Sequence, residues 1–281
     1  MQTVSIVGVG LIGGSFALAL RKAGFRGRIL GVSSQRTLEV ALSLGVIDNG
    51  MPLAEAVPES DLVFLSQPIA RIIQTIGLLD GHVRPGSLVT DAGSTKAAIA
   101  HAASSLRRCQ FLGGHPMAGK ETRGVEEAEA DLFVGRTWVL TPSMPAELET
   151  AAAQEFLWWI CRIGASPVTL DPQEHDRIVA CTSHLPQLAS TALAATLAGS
   201  ITGPDVLRIA GPGLADTTRL ALSPYEIWRD VLETNRHPIE EALDGFIARL
   251  QNLRTQLCSP ATEAEFERAA EFGRMLRSRN G

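Results

Sequence analysis

The feature that most constrains this chain lies at its N-terminus. A short apolar run, Thr3 to Val7, leads straight into Gly8-Val9-Gly10-Leu11-Ile12-Gly13. Glycines in the pattern G-x-G-x-x-G, set between a predicted strand and a predicted helix, leave few folds open. Gly8 permits a tight turn, Gly10 lets the backbone approach a diphosphate, and Gly13 lets helix and strand pack closely. The helix opening at Leu11 and Ile12 offers free N–H groups and a partial positive charge to an anion. A glycine-rich strand-to-helix turn also occurs without ligand, but the motif stands here in the context that dinucleotide binding requires.

The rest of the first half keeps that rhythm. Leu11 to Ala23 reads as a helix; Arg28 to Val32, Asp61 to Ser66, Ser87 to Asp91, Gln110 to Gly113 and Thr137 to Thr141 read as strands. Near-continuous apolar strands alternating with helices predict a parallel sheet covered on both faces. From Pro172 the pattern changes. Residues 173–200, 203–222, 224–257 and 262–279 carry helical periodicity, broken at Gly203-Pro204, Gly211-Pro212-Gly213, Pro224 and Ser259-Pro260. The expected architecture is a Rossmann-type α/β domain over residues 1–170 followed by an all-α domain over residues 171–281. With 281 residues, 45% of them apolar, the chain is long enough to bury two cores.

A formal net charge of -5 argues against nucleic acid or a membrane surface as partner, since both need a basic face. No apolar stretch approaches the roughly 18 residues of a membrane span, and the N-terminus lacks the features of a signal peptide. A cytoplasmic protein is expected. Cys109, Cys161, Cys181 and Cys258 are scattered, which predicts reduced, mostly buried thiols and no metal site.

The second strand bears on the cofactor. NAD enzymes usually end it with an acid that bonds the ribose 2′-OH. Here it runs Leu30-Gly31-Val32-Ser33-Ser34-Gln35-Arg36. Ser33, Ser34 and Arg36 suit a 2′-phosphate, so NADP is expected over NAD; the alternative is a polar loop with a solvated arginine. Ser66 and Pro68, after the third long strand, complete the expected cofactor set.

Three further segments follow strand ends or stand in the helical half: Asp91-Ala92-Gly93-Ser94-Thr95-Lys96, Gly113-Gly114-His115-Pro116-Met117-Ala118-Gly119, and Thr182-Ser183-His184-Leu185-Pro186 with Asp216-Thr217-Thr218-Arg219 beyond it. Together with Lys120-Glu121, LFVGRTWVLTP, EHDRIVACTSHLP, DTTRLA and IWRDVLETN, they resemble the successive motifs of prephenate/arogenate dehydrogenases. The motifs occur in family order from Gly8 to about Asn235. The resemblance implies oxidative decarboxylation of a cyclohexadienol in tyrosine biosynthesis, a nicotinamide cofactor, and a homodimer built through the helical domain. GVSSQ is most similar to the NADP-using, arogenate-type members.

The resemblance also implies roles. His115 is the expected proton acceptor, as an imidazole that titrates near neutrality; a loop histidine bonding backbone is the bland alternative. Ser94 would orient the ring hydroxyl, or cap the helix that follows. Arg219 would clamp the side-chain carboxylate bidentately, or pair with Asp216 one turn back, unless Asp216 positions it. His184 would border the site, or pack between helices. Trp228 matches a tryptophan near the substrate or the dimer interface; on sequence alone it reads as core. His175-Asp176 reads mainly as a structural helix-start pair.

One position departs from the family pattern. Many prephenate-using members follow SHLP with a second histidine, where this chain has Gln187. That tilts the expectation toward arogenate, whose amino group Glu121 could attract, and puts inhibition by tyrosine in doubt. No regulatory domain or fused mutase is expected. Two other readings stand beside this one. Another two-domain hydroxyacid or imine dehydrogenase would commonly use a lysine in the helical half, but Lys22, Lys96 and Lys120 all lie in the first half. A non-catalytic NADP-binding sensor would have no need of Ser94, His115 and Arg219 together.

Overall fold

The structure is a computed structural model that describes residues 1–200 and 208–278. The first half comprises β1 (Thr3–Val7), α1 (Leu11–Lys22), β2 (Arg28–Val32), α2 (Gln35–Ser43), β3 (Asn49–Gly50), α3 (Leu53–Ala56), β4 (Leu62–Leu65), α4 (Ile69–Leu79), β5 (Leu88–Asp91), α5 (Ala97–Ala103), β6 (Gln110–Pro116), β7 (Thr137–Thr141), α6 (Ala151–Arg162) and β8 (Ser166–Thr169). One sheet holds all the strands, in the order β3-β2-β1-β4-β5-β6-β7-β8. β1, β2, β4, β5 and the start of β6 are parallel. All four residues of β4, Leu-Val-Phe-Leu, are buried because helices cover both faces.

Three features of the sheet differ from the sequence reading. β7 returns antiparallel to β6, because the connection between them carries only a 3₁₀ turn, Val125–Glu127, and no α-helix to make a parallel crossover. β6 also runs on to Pro116, so His115 stands in a paired strand opposite Val139 rather than on a tight loop. β8 was not expected: Ser-Pro-Val-Thr is exposed throughout and carries a proline, as an edge strand can. Under the sheet, Phe16 meets Phe64 at 4.4 Å and Trp138 at 5.6 Å between ring centroids. Trp138 is wholly buried, and truncating such a ring costs about 3–5 kcal/mol.

The second half is helical from Pro172: α7 (Pro172–Val179), a π-helical turn (Ala180–His184), α8 (Leu185–Ser200), α9 (Pro212–Thr218), a 3₁₀ turn (Arg219–Leu222), α10 (Tyr225–Thr234), α11 (Arg236–Thr255) and α12 (Pro260–Ser278). The helix expected over 173–200 is thus interrupted by the π turn. The one expected over 224–257 breaks at Asn235, where Pro238 cannot donate the N–H that a continuous helix needs. The expected break at Gly203-Pro204 lies outside the described residues. By compactness the chain divides into Met1–Arg236 and His237–Gly281. Fold class therefore changes near residue 170, while compactness changes later, because α7 to α10 stay with the sheet. Asp230 on α10, for example, accepts from the N–H of Ala70 on α4 at 3.0 Å.

The cysteines correct another expectation. All are free thiols, but Cys161, Cys181 and Cys258 are exposed and only Cys109 is half-buried. Cys161 stands on the outer side of α6, Cys181 in the π turn, and Cys258 in the turn between α11 and α12. No helix among the described residues is long and apolar enough to cross a membrane.

Candidate active site

The glycine-rich turn builds one wall of a cleft of about 740 Å³. Gly8 has φ +98°, the left-handed region that favours glycine, and a Cβ there would meet the Ser66 backbone at 2.8 Å. A Cβ on Gly13 would meet the Gly8 carbonyl at 2.4 Å. Gly10 faces open space, so a side chain there would fill the cleft. No side chain caps α1, and no acid stands in its first turn. The N–H groups opening the helix at Leu11, Ile12 and Gly13 therefore suit a phosphate. Ser33, Ser34, Arg36, Ser66 and Pro68 line the same cleft, and so does Arg71, which the sequence reading did not single out. Ser34 also caps α2, accepting from Thr37 N–H at 3.3 Å. Ser66 donates to the Gly8 carbonyl at 2.9 Å and so holds the turn. These residues fit a dinucleotide.

At the carboxyl edge of the sheet, a buried ion pair sets the position of His115. Lys96 and Asp91 bond each other and both grip Gly114: Lys96 Nζ donates to its carbonyl at 2.7 Å, and Asp91 accepts from its N–H at 3.1 Å. Burial pulls the Lys96 ammonium below its usual range, and Asp91 opposes that shift. Glycine is required next to the histidine, since a Cβ on Gly114 would meet the Asp91 carbonyl at 2.6 Å.

His115 is half-buried, and its Nδ1 lies 2.9 Å from Nε2 of His175. Desolvation, then the neighbouring His175, Lys96 and His184, hold its pKa well below the ordinary histidine value. The imidazole is therefore neutral at physiological pH. Nδ1 of His175 in turn lies 2.8 Å from Asp176 Oδ1. Asp176 also caps α5, accepting from the N–H groups of Lys96 at 2.7 Å and Ala97 at 2.9 Å. Ser94, half-buried between β5 and α5, is thus not the cap of that helix.

Asn235 joins this cluster to His184. Its amide nitrogen donates to the Asp176 carbonyl at 2.8 Å, which fixes the amide's orientation. The same nitrogen lies 3.1 Å from His184 Nδ1, so that ring atom accepts and the proton sits on Nε2. Burial lowers the His184 pKa to about 4. Its ring meets Trp228 edge-on at 5.8 Å.

Trp228 leads to a second pocket of about 260 Å³, which brings Glu121, Gln187, Arg219 and Trp228 together. Arg219 pairs with Glu121 at 3.1 Å rather than with Asp216, which does not line the pocket. Gln187 is buried, and its amide nitrogen donates to the Leu220 carbonyl at 2.8 Å and to Thr191 Oγ1 at 3.2 Å. Its carbonyl oxygen accepts no hydrogen bond among the described residues. The sequence reading missed His175, Asp176, Asn235 and Lys96 as members of the site. The adjacent His-Asp pair was the available signal, but nothing in a linear sequence brings residue 175 to residue 115.

Comparison with known proteins bears on the whole chain. Residues 16–158 match the family model for the prephenate dehydrogenase nucleotide-binding domain, and residues 171–272 match the one for its dimerization domain. The prephenate dehydrogenase of Lactococcus lactis subsp. cremoris is 32% identical over 284 residues, spanning 99% of this chain and 77% of the relative. The crystal structure of Aquifex aeolicus prephenate dehydrogenase with hydroxyphenyl propionate and NAD+ superposes with a TM-score of 0.86 at 31% identity, covering 98% of each chain. Synechocystis arogenate dehydrogenase gives 0.77 at 31% identity, covering 99% of this chain and 98% of that one. The motifs, the fold and the paired domain matches agree: the chain belongs to the prephenate dehydrogenase family of oxidoreductases.

Proposed function

We propose that this chain oxidises and decarboxylates arogenate or prephenate on the route to tyrosine, with His115 as the general base. The observation that carries the reading is the placement of His115 at the carboxyl edge of a dinucleotide-type sheet, against His175 and joined through Asp176, Asn235, His184 and Trp228 to a pocket that holds an arginine. A bound nicotinamide supplies the acceptor for the hydride leaving C4 of the ring. Ser94 orients the C4 hydroxyl, and His115 takes its proton as the carbonyl forms. The ring carboxylate then leaves as carbon dioxide, and aromatisation drives that step. Arg219 exchanges Glu121 for the substrate's side-chain carboxylate. The swap is inexpensive because the existing pair is mostly exposed.

Within this reading NADP is preferred over NAD. No acid ends β2, and Ser33, Arg36 and Arg71 line the cleft there. The A. aeolicus protein was crystallised with NAD+, so the choice rests on these side chains of the present chain. Arogenate is favoured over prephenate by the free carbonyl oxygen of Gln187, an acceptor suited to an ammonium and not to a ketone. Residues 171–281 act as the substrate and dimerisation domain of a homodimer, and residues 1–170 as the cofactor domain; the match of residues 171–272 to a dimerization domain supports this. The test is an absorbance assay of each substrate with each cofactor. Turnover of arogenate with NADP is expected to be the fastest combination. Equal efficiency with both cofactors would remove the NADP preference, and inert arogenate would remove the substrate preference.

A further inference from the structure

The hydrogen bonds behind His115 run in one direction. Asp176 lies at their far end. Its Oδ1 accepts from Lys96 N–H at 2.7 Å and faces His175 Nδ1 at 2.8 Å, while Oδ2 accepts from Ala97 N–H at 2.9 Å. A carboxylate only accepts, so His175 must carry its ring proton on Nδ1. A neutral imidazole with Nδ1 protonated has its lone pair on Nε2. That lone pair faces His115 Nδ1 at 2.9 Å, so His115 must supply the proton there. Nε2 of His115 is then left unprotonated. Both His175 and Asp176 are buried, so the bonds are electrostatically strong and water does not compete for them. The carboxylate is itself fixed by two backbone amides at the start of α5, which leaves the whole row little freedom to rotate.

We propose that His175 and Asp176 are positioning residues for proton transfer: Asp176 orients His175, and His175 holds His115 in the tautomer whose Nε2 can accept the substrate's hydroxyl proton. The inference rests on the reading of His115 as the base. The same rule governs histidines whose second nitrogen is held by a carboxylate in serine hydrolases, where the wrong tautomer disables the base. Here an imidazole is interposed between carboxylate and base. The negative charge then stands one ring away from His115, while orientation is transmitted intact.

Nitrogen-15 NMR of the histidine rings in the full-length protein tests this independently of activity. At neutral pH, His115 is expected to show a protonated Nδ1 and a bare Nε2, assigned by loss of those signals in His115→Asn. In His175→Leu the proton should move to Nε2 or populate both nitrogens. The same variant should lose at least about 10-fold in kcat, up to the roughly 10²–10⁴-fold worth of the base itself, with KM and cofactor affinity within about twofold. His175→Gln, whose amide oxygen reaches near the place of the lost Nε2, should recover most of kcat. A bare Nδ1 and protonated Nε2 on His115 in the natural protein would overturn the proposal. So would near-normal kcat in His175→Leu, or a rise in KM alone. If His175→Leu does not fold, the tautomer of the natural protein and the His175→Gln kinetics still decide. Normal turnover in His115→Asn would refute the base itself, a result distinct from a wrong tautomer beside an essential His115.

Discussion

Lys96 and Asp91 form an ion pair with side chains 1% and 0% exposed, whereas Arg219 and Glu121 form one with side chains 60% and 77% exposed. Both pairs stand in the same candidate site. The buried pair grips both sides of the Gly114 peptide and so fixes the base in space. The exposed pair can open in water at little cost, leaving a guanidinium free for a carboxylate. The difference is one of purpose: groups that move a proton need sub-ångström placement, while groups that admit a substrate need partners they can exchange.

That division can be tested at its two ends, and the largest expected effect is at the base. His115→Asn keeps a hydrogen-bonding group of similar size and removes the proton acceptor. It is expected to lower kcat by about 10²–10⁴-fold with KM little changed. Arg219→Ala should do the reverse, raising KM by roughly 30-fold or more, as expected for losing a charged hydrogen-bonded partner worth about 2–4 kcal/mol. Steady-state kinetics on both variants decide the matter. A kcat loss in Arg219→Ala with KM unchanged would erase the contrast.

Stability should divide in the same way. Lys96→Met leaves Asp91 as an uncompensated buried charge, and breaking such a pair costs about 3–5 kcal/mol. Glu121→Gln removes half of an exposed pair and should change stability by about 0–1 kcal/mol. Urea denaturation of the two variants measures both. Equal destabilisation would mean that the Arg219 pair is part of the scaffold and not an exchangeable gate.

What the sequence disclosed follows the same line. The glycine turn, the parallel strands and the helical second half were legible because each is written in local pattern. His115, Ser94 and Arg219 stood out only through short motifs that resemble a known family, and their roles are proposals. The bracing behind His115 was not legible. His175-Asp176 reads in the sequence as a structural helix-start pair, whereas α7 opens at Pro172 under the Asp171 cap, and only the packing of α7 on α5 turns Asp176 into the cap of α5. Lys96 sat in the same motif as Ser94, yet a lysine in a strand-end loop gives no sign that it will be fully buried. The antiparallel return of β7 was also hidden, since an apolar strand reads alike in either direction.

The smallest expected effect concerns pH and joins the two ends of the site. His184 and His115 are both held neutral in the folded protein, His184 with a pKa of about 4 and His115 well below the ordinary value, in each case chiefly by burial. Facing them are His175, Asp176, Lys96 and Asp91, and of these only the carboxylates favour a charged imidazole. In the unfolded chain both histidines titrate near 6.5. Below that pH the unfolded chain binds protons that the folded one refuses, so stability is full above about 6.5 and falls as pH drops toward the folded pKa values. His184 alone should account for about 2 kcal/mol by pH 5, and His115 acts in the same direction. Urea midpoints at pH 7 and pH 5 measure the loss, and His184→Gln should shrink it, since its glutamine does not titrate. A midpoint that is flat across this range, or unaltered by His184→Gln, would mean that the histidine cluster admits protons in the folded state. The neutral base that the mechanism needs would then have to be created by substrate binding and not by the fold.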